Sequence, residues 1–145
     1  MRRSMAHIFP SEDWAAAYKA AINANPKYKE AGKDWTHGAV AMVVKADPKL
    51  GIAEDTALWL DIDRGVCKEC KLMPATAAQD APFIIVADYA RWKSVIKKEI
   101  DPIKGMMQNK LKLTKGHMPT IVKYVQSSRE LVETTSMVDT KFRDE

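Results

Sequence analysis

The sequence predicts an α+β fold, and three observations carry that reading. Helical periodicity gathers toward the two ends of the chain, strand-like segments fill the middle, and no long helical crossover joins the first three strands. Those three should form an antiparallel meander, with helices on one face of the sheet.

Taken in order, Ser11 is a suitable N-cap, and Glu12 and Asp13 suit the positive end of a helix dipole. Trp14, Tyr18 and Ile22 then repeat at i, i+4 and i+8 on one face. Asn23 to Pro26 breaks this helix, and a short helical piece from Lys27 to Ala31 ends at Gly32. From Gly38 the period changes: Val40, Met42 and Val44 fall on one side of a strand that ends at Asp47-Pro48. TALWLDID alternates cleanly, with Leu58, Leu60 and Ile62 on one face, and Arg64-Gly65 turns the chain into VCKECKLM as its hairpin partner. An Ala-rich connection from Pro74 to Ala81 leads to PFIIVADY, an apolar run that fits a central strand. Asp88 caps the next helix, with Tyr89, Trp92, Val95 and Ile96 as its apolar positions. Asp101-Pro102 starts another, carrying Ile103, Met106 and Met107. LKLTKG reads as a fifth strand, with Leu111 and Leu113 inward and Lys110 and Lys112 outward. Met118, Ile121, Val122 and Val125 mark a last amphipathic helix running to about Val132, after which the charged tail should fray.

At 145 residues, with 46% hydrophobic and 29% charged residues, the chain has the size and composition of one globular domain, spanning 1–145 with its core at about 11–132. No run reaches 18 apolar residues, which excludes a helical membrane span. MRRSMAHIFP lacks the apolar core of a secretory signal, so the cytoplasm is the expected location. Charge is uneven. Between Arg91 and Lys123 nine basic residues face two acidic ones, a net +7 that leaves −3 for the rest of a chain of net +4. Such a segment can face an anionic membrane, an acidic head group or nucleic acid, or serve only as a solvated surface.

Motifs for chemistry are absent: there is no G-x-S-x-G, Walker A, G-x-G-x-x-G or H-E-x-x-H. Asp61 and Asp63 alternate with core positions and so point to solvent, and His37 and His117 sit at element boundaries beside glycine. No catalytic residue, metal site or cofactor is expected. Cys67 and Cys70 form a C-x-x-C, but zinc needs about four ligands and the histidines show no paired spacing. In an extended strand residues three apart lie roughly 10 Å from each other, too far for an unstrained disulfide. What stands out instead is apolar: methionines and aliphatics on short helices flanking one strand, of a kind that suits a pocket for ligands of variable shape or a filled core.

From PFIIVADY through DYARWKSVIKKEIDPIKGMMQNKLKLTKGHM the pattern resembles the sterol carrier protein 2 (SCP-2) domain family. The signature appears as Asp101-Pro102, Met106-Met107, Lys110-Leu111-Lys112-Leu113 and Gly116 before Met118. Two positions depart from it: Asn109 replaces the usual glycine before the Lys-Leu pair, and His117 replaces a small polar residue. Asn tolerates φ > 0 at modest cost, so the turn can survive.

The resemblance implies an SCP-2-like five-stranded, mainly antiparallel sheet with helices on one face, enclosing an apolar tunnel. It implies non-catalytic binding and transfer of fatty acid, acyl-CoA, phospholipid or sterol. On that reading Ile103, Met106, Met107, Leu111, Leu113 and Met118 line the tunnel, and helical spacing extends the lining to Trp92, Ile96, Ile121, Val122 and Val125. Lys104, Lys110, Lys112 and Lys115 would stand near its mouth, facing an anionic head group or, peripherally, an anionic membrane. Two other readings are kept. A basic nucleic-acid domain is disfavoured because no Phe, Trp or Tyr separates the lysines between Lys93 and Lys123. A redox or metal accessory domain would use the C-x-x-C.

Overall fold

The computed structural model describes residues 6–145, so the first five residues of MRRSMAHIFP, read above against a secretory signal, lie outside the described residues. Helix α1 (Glu12–Ala24) starts where Ser11 accepts the Trp14 N–H and buries Trp14, Tyr18 and Ile22. Asn25 ends it and at once caps α2 (Pro26–Ala31), accepting the Lys27 N–H while its amide donates to Thr134 Oγ1 at 2.9 Å.

The main sheet holds five strands in the order β4-β3-β2-β5-β6. They are β2 (Val40–Val44), β3 (Thr56–Asp63), β4 (Val66–Pro74), β5 (Phe83–Ala87) and β6 (Lys112–Lys115). Within this sheet only the β2–β5 pair is parallel; the others are antiparallel. The β3–β4 turn has Arg64 at φ 49° and Gly65 at φ 81°, both left-handed, as a two-residue hairpin turn requires. Gly65 is also obligatory by contact, since a Cβ there would stand 2.5 Å from the Lys29 carbonyl oxygen.

Helices α3 (Tyr89–Ile96), α4 (Pro102–Met107), α5 (Met118–Lys123) and α6 (Val125–Thr134) join α1 and α2 on the sheet face that carries Val40, Val44, Leu58, Leu60, Ile62 and Ile85. Asp88 and Asp101 cap α3 and α4 as their spacing predicts. The opposite face has a smaller core of Ala41, Val43, Ala57 and Ile84, covered by the segment around Ala75, Ala78 and Ala81. This is why PFIIVADY carries apolar residues at every strand position: both sides of β5 are covered. No helix among the described residues is long and apolar enough to cross a membrane.

Two expectations are corrected. The last amphipathic helix is two helices, because Tyr124 leaves helical geometry (φ −102°, ψ 36°). Its hydroxyl donates to the Asp34 carbonyl at 3.1 Å and its ring meets Trp35 and His37 edge-on, which holds it there. The charged tail is docked, not frayed. Strand β7 (Thr140–Phe142) pairs in parallel with β1 (His7–Phe9), and Phe9, Val138 and Phe142 are buried, so the packed core extends past 11–132. Arg143 fixes the tail by donating to the Pro10 and Leu50 carbonyls, and Asp144 pairs with Lys93 at 2.9 Å.

Cys67 and Cys70 lie in β4 as free thiols, and the register there adds a feature that spacing does not carry. A bulge opposite Asp61 and Ile62 adds Lys68 to β4, so Cys67 faces Ile62 and Cys70 faces Leu60, and both thiols point to the helix-covered side. A regular strand would have sent them to opposite faces.

Phe142 packs edge-on against Phe9 at 6.3 Å and lies beneath the ammonium of Lys93. Phe142→Ala should therefore lower unfolding stability by about 3 kcal/mol in urea titration, while Lys141→Ala, at an exposed position of the same strand, should leave the midpoint unchanged.

Candidate ligand cavity

Between sheet and helices lies a cavity of about 120 Å³. Its floor comes from strand alternation: Val40, Met42 and Val44 of β2, Leu58, Leu60 and Ile62 of β3, and Ile85 of β5. Its roof comes from helical faces, with Trp92, Val95 and Ile96 on α3, Met106 on α4, Ile121 on α5, and Leu131 and Val132 on α6. Phe9, Pro10, Trp14 and Tyr18 form one end, and Trp35 and Leu111 complete the wall.

Among the described residues, the wall contains no Asp, Glu, His, Cys, Lys or Arg. Its aromatic residues carry polar atoms, but each is engaged. Trp14 Nε1 donates to Thr140 Oγ1 at 2.9 Å and Trp92 Nε1 to the Val43 carbonyl at 2.8 Å. Trp35 Nε1 donates to the Gly38 carbonyl at 2.9 Å, and the Tyr18 hydroxyl to the Leu131 carbonyl at 2.7 Å. Burial pushes the Tyr18 phenol well above its ordinary pKa, so it stays a neutral donor. Ser127, Ser128 and Thr135 are the remaining polar wall residues, and Thr135 returns its hydroxyl to the Val132 carbonyl at 2.6 Å. A space so lined favours methylene groups over water.

Of the residues expected to line a tunnel, Trp92, Ile96, Met106, Leu111 and Ile121 face this cavity. Ile103 is buried in the surrounding core but not at the wall, and Leu113, Met118 and Val125 pack partly buried against that core. Met107 and Val122 point outward, 63% and 39% exposed. Neighbouring helical positions diverge by about 100°, so with Met106 and Ile121 facing in, the next residues cannot. The floor strands and the Trp14–Tyr18 face were legible only as buried faces, and Phe9, Leu131 and Val132 carried no such signal. Period and composition do not tell a wall from a filled core.

The four lysines expected at the mouth are all exposed. Lys112 stands opposite Val86 and Lys115 opposite Ile84, residues of the far-face core, so both sit on the side of the sheet away from the cavity. Lys115 accordingly donates to the Gln79 carbonyl at 2.9 Å. Lys104 and Lys110 lie at the α4 end of the molecule. Asn109 takes φ 60°, the conformation that lets it stand where glycine is usual. Beside the cavity is a second, polar hollow of about 190 Å³ lined by Lys98, Ile100, Asp101, Arg129 and Glu133, with Pro102 and Val132 facing both spaces.

Cys67 and Cys70 are free and buried. Asn23 brackets the first, donating to its carbonyl at 2.9 Å and accepting its N–H at 2.8 Å. Burial pushes the Cys67 thiol up to about 11 and Cys70 further still.

The family model described as the SCP-2 sterol transfer family matches residues 18–126. Among solved structures, a crystal structure of sterol carrier protein 2 is 34% identical, covering 88% of this chain and 97% of its own, with a TM-score of 0.82. The solution structure of a conserved hypothetical protein from Thermus thermophilus, described as possibly a sterol carrier protein, is 32% identical, covering 96% and 94%, with a TM-score of 0.84. The apo form of sterol carrier protein 2 from Yarrowia lipolytica, at 12% identity, 83% and 87% coverage and a TM-score of 0.53, shares the fold alone. No curated protein is significantly similar in sequence. These likenesses favour neither the nucleic-acid reading nor the C-x-x-C reading.

With its thiol held up at about 11, Cys67 is almost wholly protonated at pH 8. Native protein should therefore react with a thiol reagent at pH 8 far more slowly than protein in denaturant, with both thiols appearing on unfolding. The same shift makes stability fall as pH rises from about 9 to 11, because the unfolded thiol loses its proton while the folded one keeps it. Thermal melts across that window check the sign.

Proposed function

The chain belongs to the SCP-2 sterol transfer family, and we propose that it carries lipids by taking an acyl chain or similar elongated apolar group into the cavity between sheet and helices. The observation that supports this most is the wall itself: apolar floor and roof, no ionisable side chain except a phenol among the described residues, and aromatic polar atoms bonded to partners. Such a wall offers no acid, base or nucleophile pair for chemistry on a ligand, so carriage without conversion is the reading that fits it. Transfer of each CH₂ from water is favourable by roughly 0.8 kcal/mol, enough for useful affinity from a chain of ordinary length.

Trp92, Ile96, Met106, Leu111 and Ile121 are the contacts we assign to the ligand from the helical side and the β6 approach. At about 120 Å³ the cavity is smaller than the roughly 300 Å³ at which small-molecule sites begin, so a long chain must part its walls. Fatty acid, acyl-CoA, phospholipid and sterol all remain within the class.

A peripheral contact with anionic membrane accompanies this reading. From Pro102 to Arg129 the chain carries Lys104, Lys110, Lys112, Lys115, Lys123 and Arg129 without one Asp or Glu, and the same stretch exposes Met107 and Val122. Basic residues beside exposed apolar ones suit a transient hold on acidic lipid. Nucleic acid is not an expected partner, and the cytoplasm remains the proposed location.

Native mass spectrometry of protein purified without detergent should show a co-purified lipid, and a fluorescent fatty acid should bind in a saturable way; apo protein that ignores the probe would overturn the proposal. Met42→Trp, which fills the cavity from its floor, should lower probe affinity by about tenfold or more while the melting temperature moves by only a few degrees. Exchange of Lys104, Lys110, Lys112 and Lys115 for Gln should slow transfer from anionic vesicles and leave transfer from neutral ones unchanged.

A further inference from the structure

The apolar cavity and the polar hollow beside it share Pro102 of α4 and Val132 of α6, one residue from each of two helices. Parting these two side chains would join the spaces. The hollows are about 120 and 190 Å³, and together they reach the lower end of the sizes at which small-molecule sites occur. One is lined almost wholly by carbon, while the other sets Lys98, Asp101, Arg129 and Glu133 beside Ile100, Pro102 and Val132, a division that matches an amphipathic molecule with a compact polar end.

We propose that the polar hollow receives an oxyanionic head group of the ligand, recognised by Arg129 with Lys98 as second cation, while the chain passes between Pro102 and Val132 into the apolar cavity. This deepens the lipid-carrier reading and rests on it. The residue placed to act is Arg129. Its guanidinium is half exposed, and its ion pair is a loose one, from Nε to Asp101 Oδ1 at 3.7 Å, beyond hydrogen-bonding distance. The planar fork of a guanidinium fits a carboxylate or phosphate with two parallel N–H donors. Asp101 is partly committed elsewhere, since its Oδ2 accepts the Lys104 N–H at 3.0 Å. It is therefore a weak competitor for the fork. Lys98, two residues past α3 with a left-handed φ of 64°, lines the same hollow and donates its ammonium to Ser136 Oγ.

Glu133 and Asp101 bring two negative charges to the same hollow, so its formal charge is zero before a ligand arrives. That balance disfavours a head group of high negative charge and favours one bearing a single charge. The lysines at positions 104, 110, 112 and 115 then serve the approach to a membrane and not head-group selection.

The test compares wild type with Arg129→Gln, using hexadecanoate, its methyl ester and hexadecyl phosphate as competitors of a bound fluorescent probe. Wild type should prefer the acid to the ester. Arg129→Gln should lose about tenfold in affinity for the acid and keep its affinity for the ester, so the preference collapses. Lys71→Gln, exposed on β4 and outside the hollow, should keep the wild-type preference. A parallel loss for hexadecyl phosphate would show that the hollow reads oxyanions in general; an unchanged phosphate affinity would assign it to carboxylates. Equal loss of acid and ester would show Arg129 to be merely structural and overturn the proposal, as would an unaltered preference in Arg129→Gln. If neither the probe nor any of the three binds, the carrier reading itself fails and this inference falls with it; if the probe binds and none of the three displaces it, the head-group assignment alone fails. If all three bind alike, only the head-group assignment fails.

Discussion

An apolar cavity in a protein persists only while the polar atoms of its walls find partners other than water. Four aromatic side chains meet that constraint here, and three of them do so by tying together elements that the chain separates widely. Tyr18 spans from α1 to the Leu131 carbonyl on α6, Trp14 from α1 to Thr140, and Trp92 from α3 to a β2 carbonyl. The bonds that keep the interior dry are thus also the bonds that set the spacing of the roof above the sheet. An aliphatic residue at any of these positions would preserve apolar character but lose the strut. This accounts for large aromatic residues where a simple filled core needs only leucine and isoleucine.

The two faces of the sheet answer different needs. On the far side, small residues of β2 and β3 let an alanine-rich loop settle directly on the strands, with little room left between them. On the near side, larger aliphatic residues meet helices that are short and broken at Asn25, Asp101 and Tyr124. Several short helices cannot close over a twisted surface as completely as one long helix lying along it. Space lies on the side where the chain is most interrupted, and the interruptions are fixed by the Asn25 and Asp101 caps and by the Tyr124 kink that Asp34 holds.

Much of this was legible before any coordinates. The Ser11, Asp88 and Asp101 caps, the alternation of β3 and the left-handed turn at Arg64-Gly65 are local signals, and each element formed where its signal placed it. Even Asn109, the departure from the family signature, took the backbone conformation its side chain permits. What escaped were features set by distant partners. The bulge that turns Cys67 and Cys70 to one side depends on register with β3, and the kink at Tyr124 depends on Asp34. The near wall was partly legible from helical stripes and Lys112 from its alternation with Leu111 and Leu113, whereas the position of Lys115 followed from a shift in β5–β6 register that no local pattern announces.

The pairing of β1 with β7 has a consequence for how the molecule comes into being. Residues 7–9 and 140–142 are as far apart in sequence as any strand partners in the structure, and Phe9 and Pro10 close one end of the cavity. The hairpin of β3 and β4 needs only neighbouring residues, whereas the β1–β7 pair needs residues 140–142 to return to residues 7–9. Contacts of such long sequence separation also form late in refolding, because the loop they close must be ordered first. The end wall of the cavity is therefore the part of the described chain whose assembly closes the longest loop and carries the largest closure entropy.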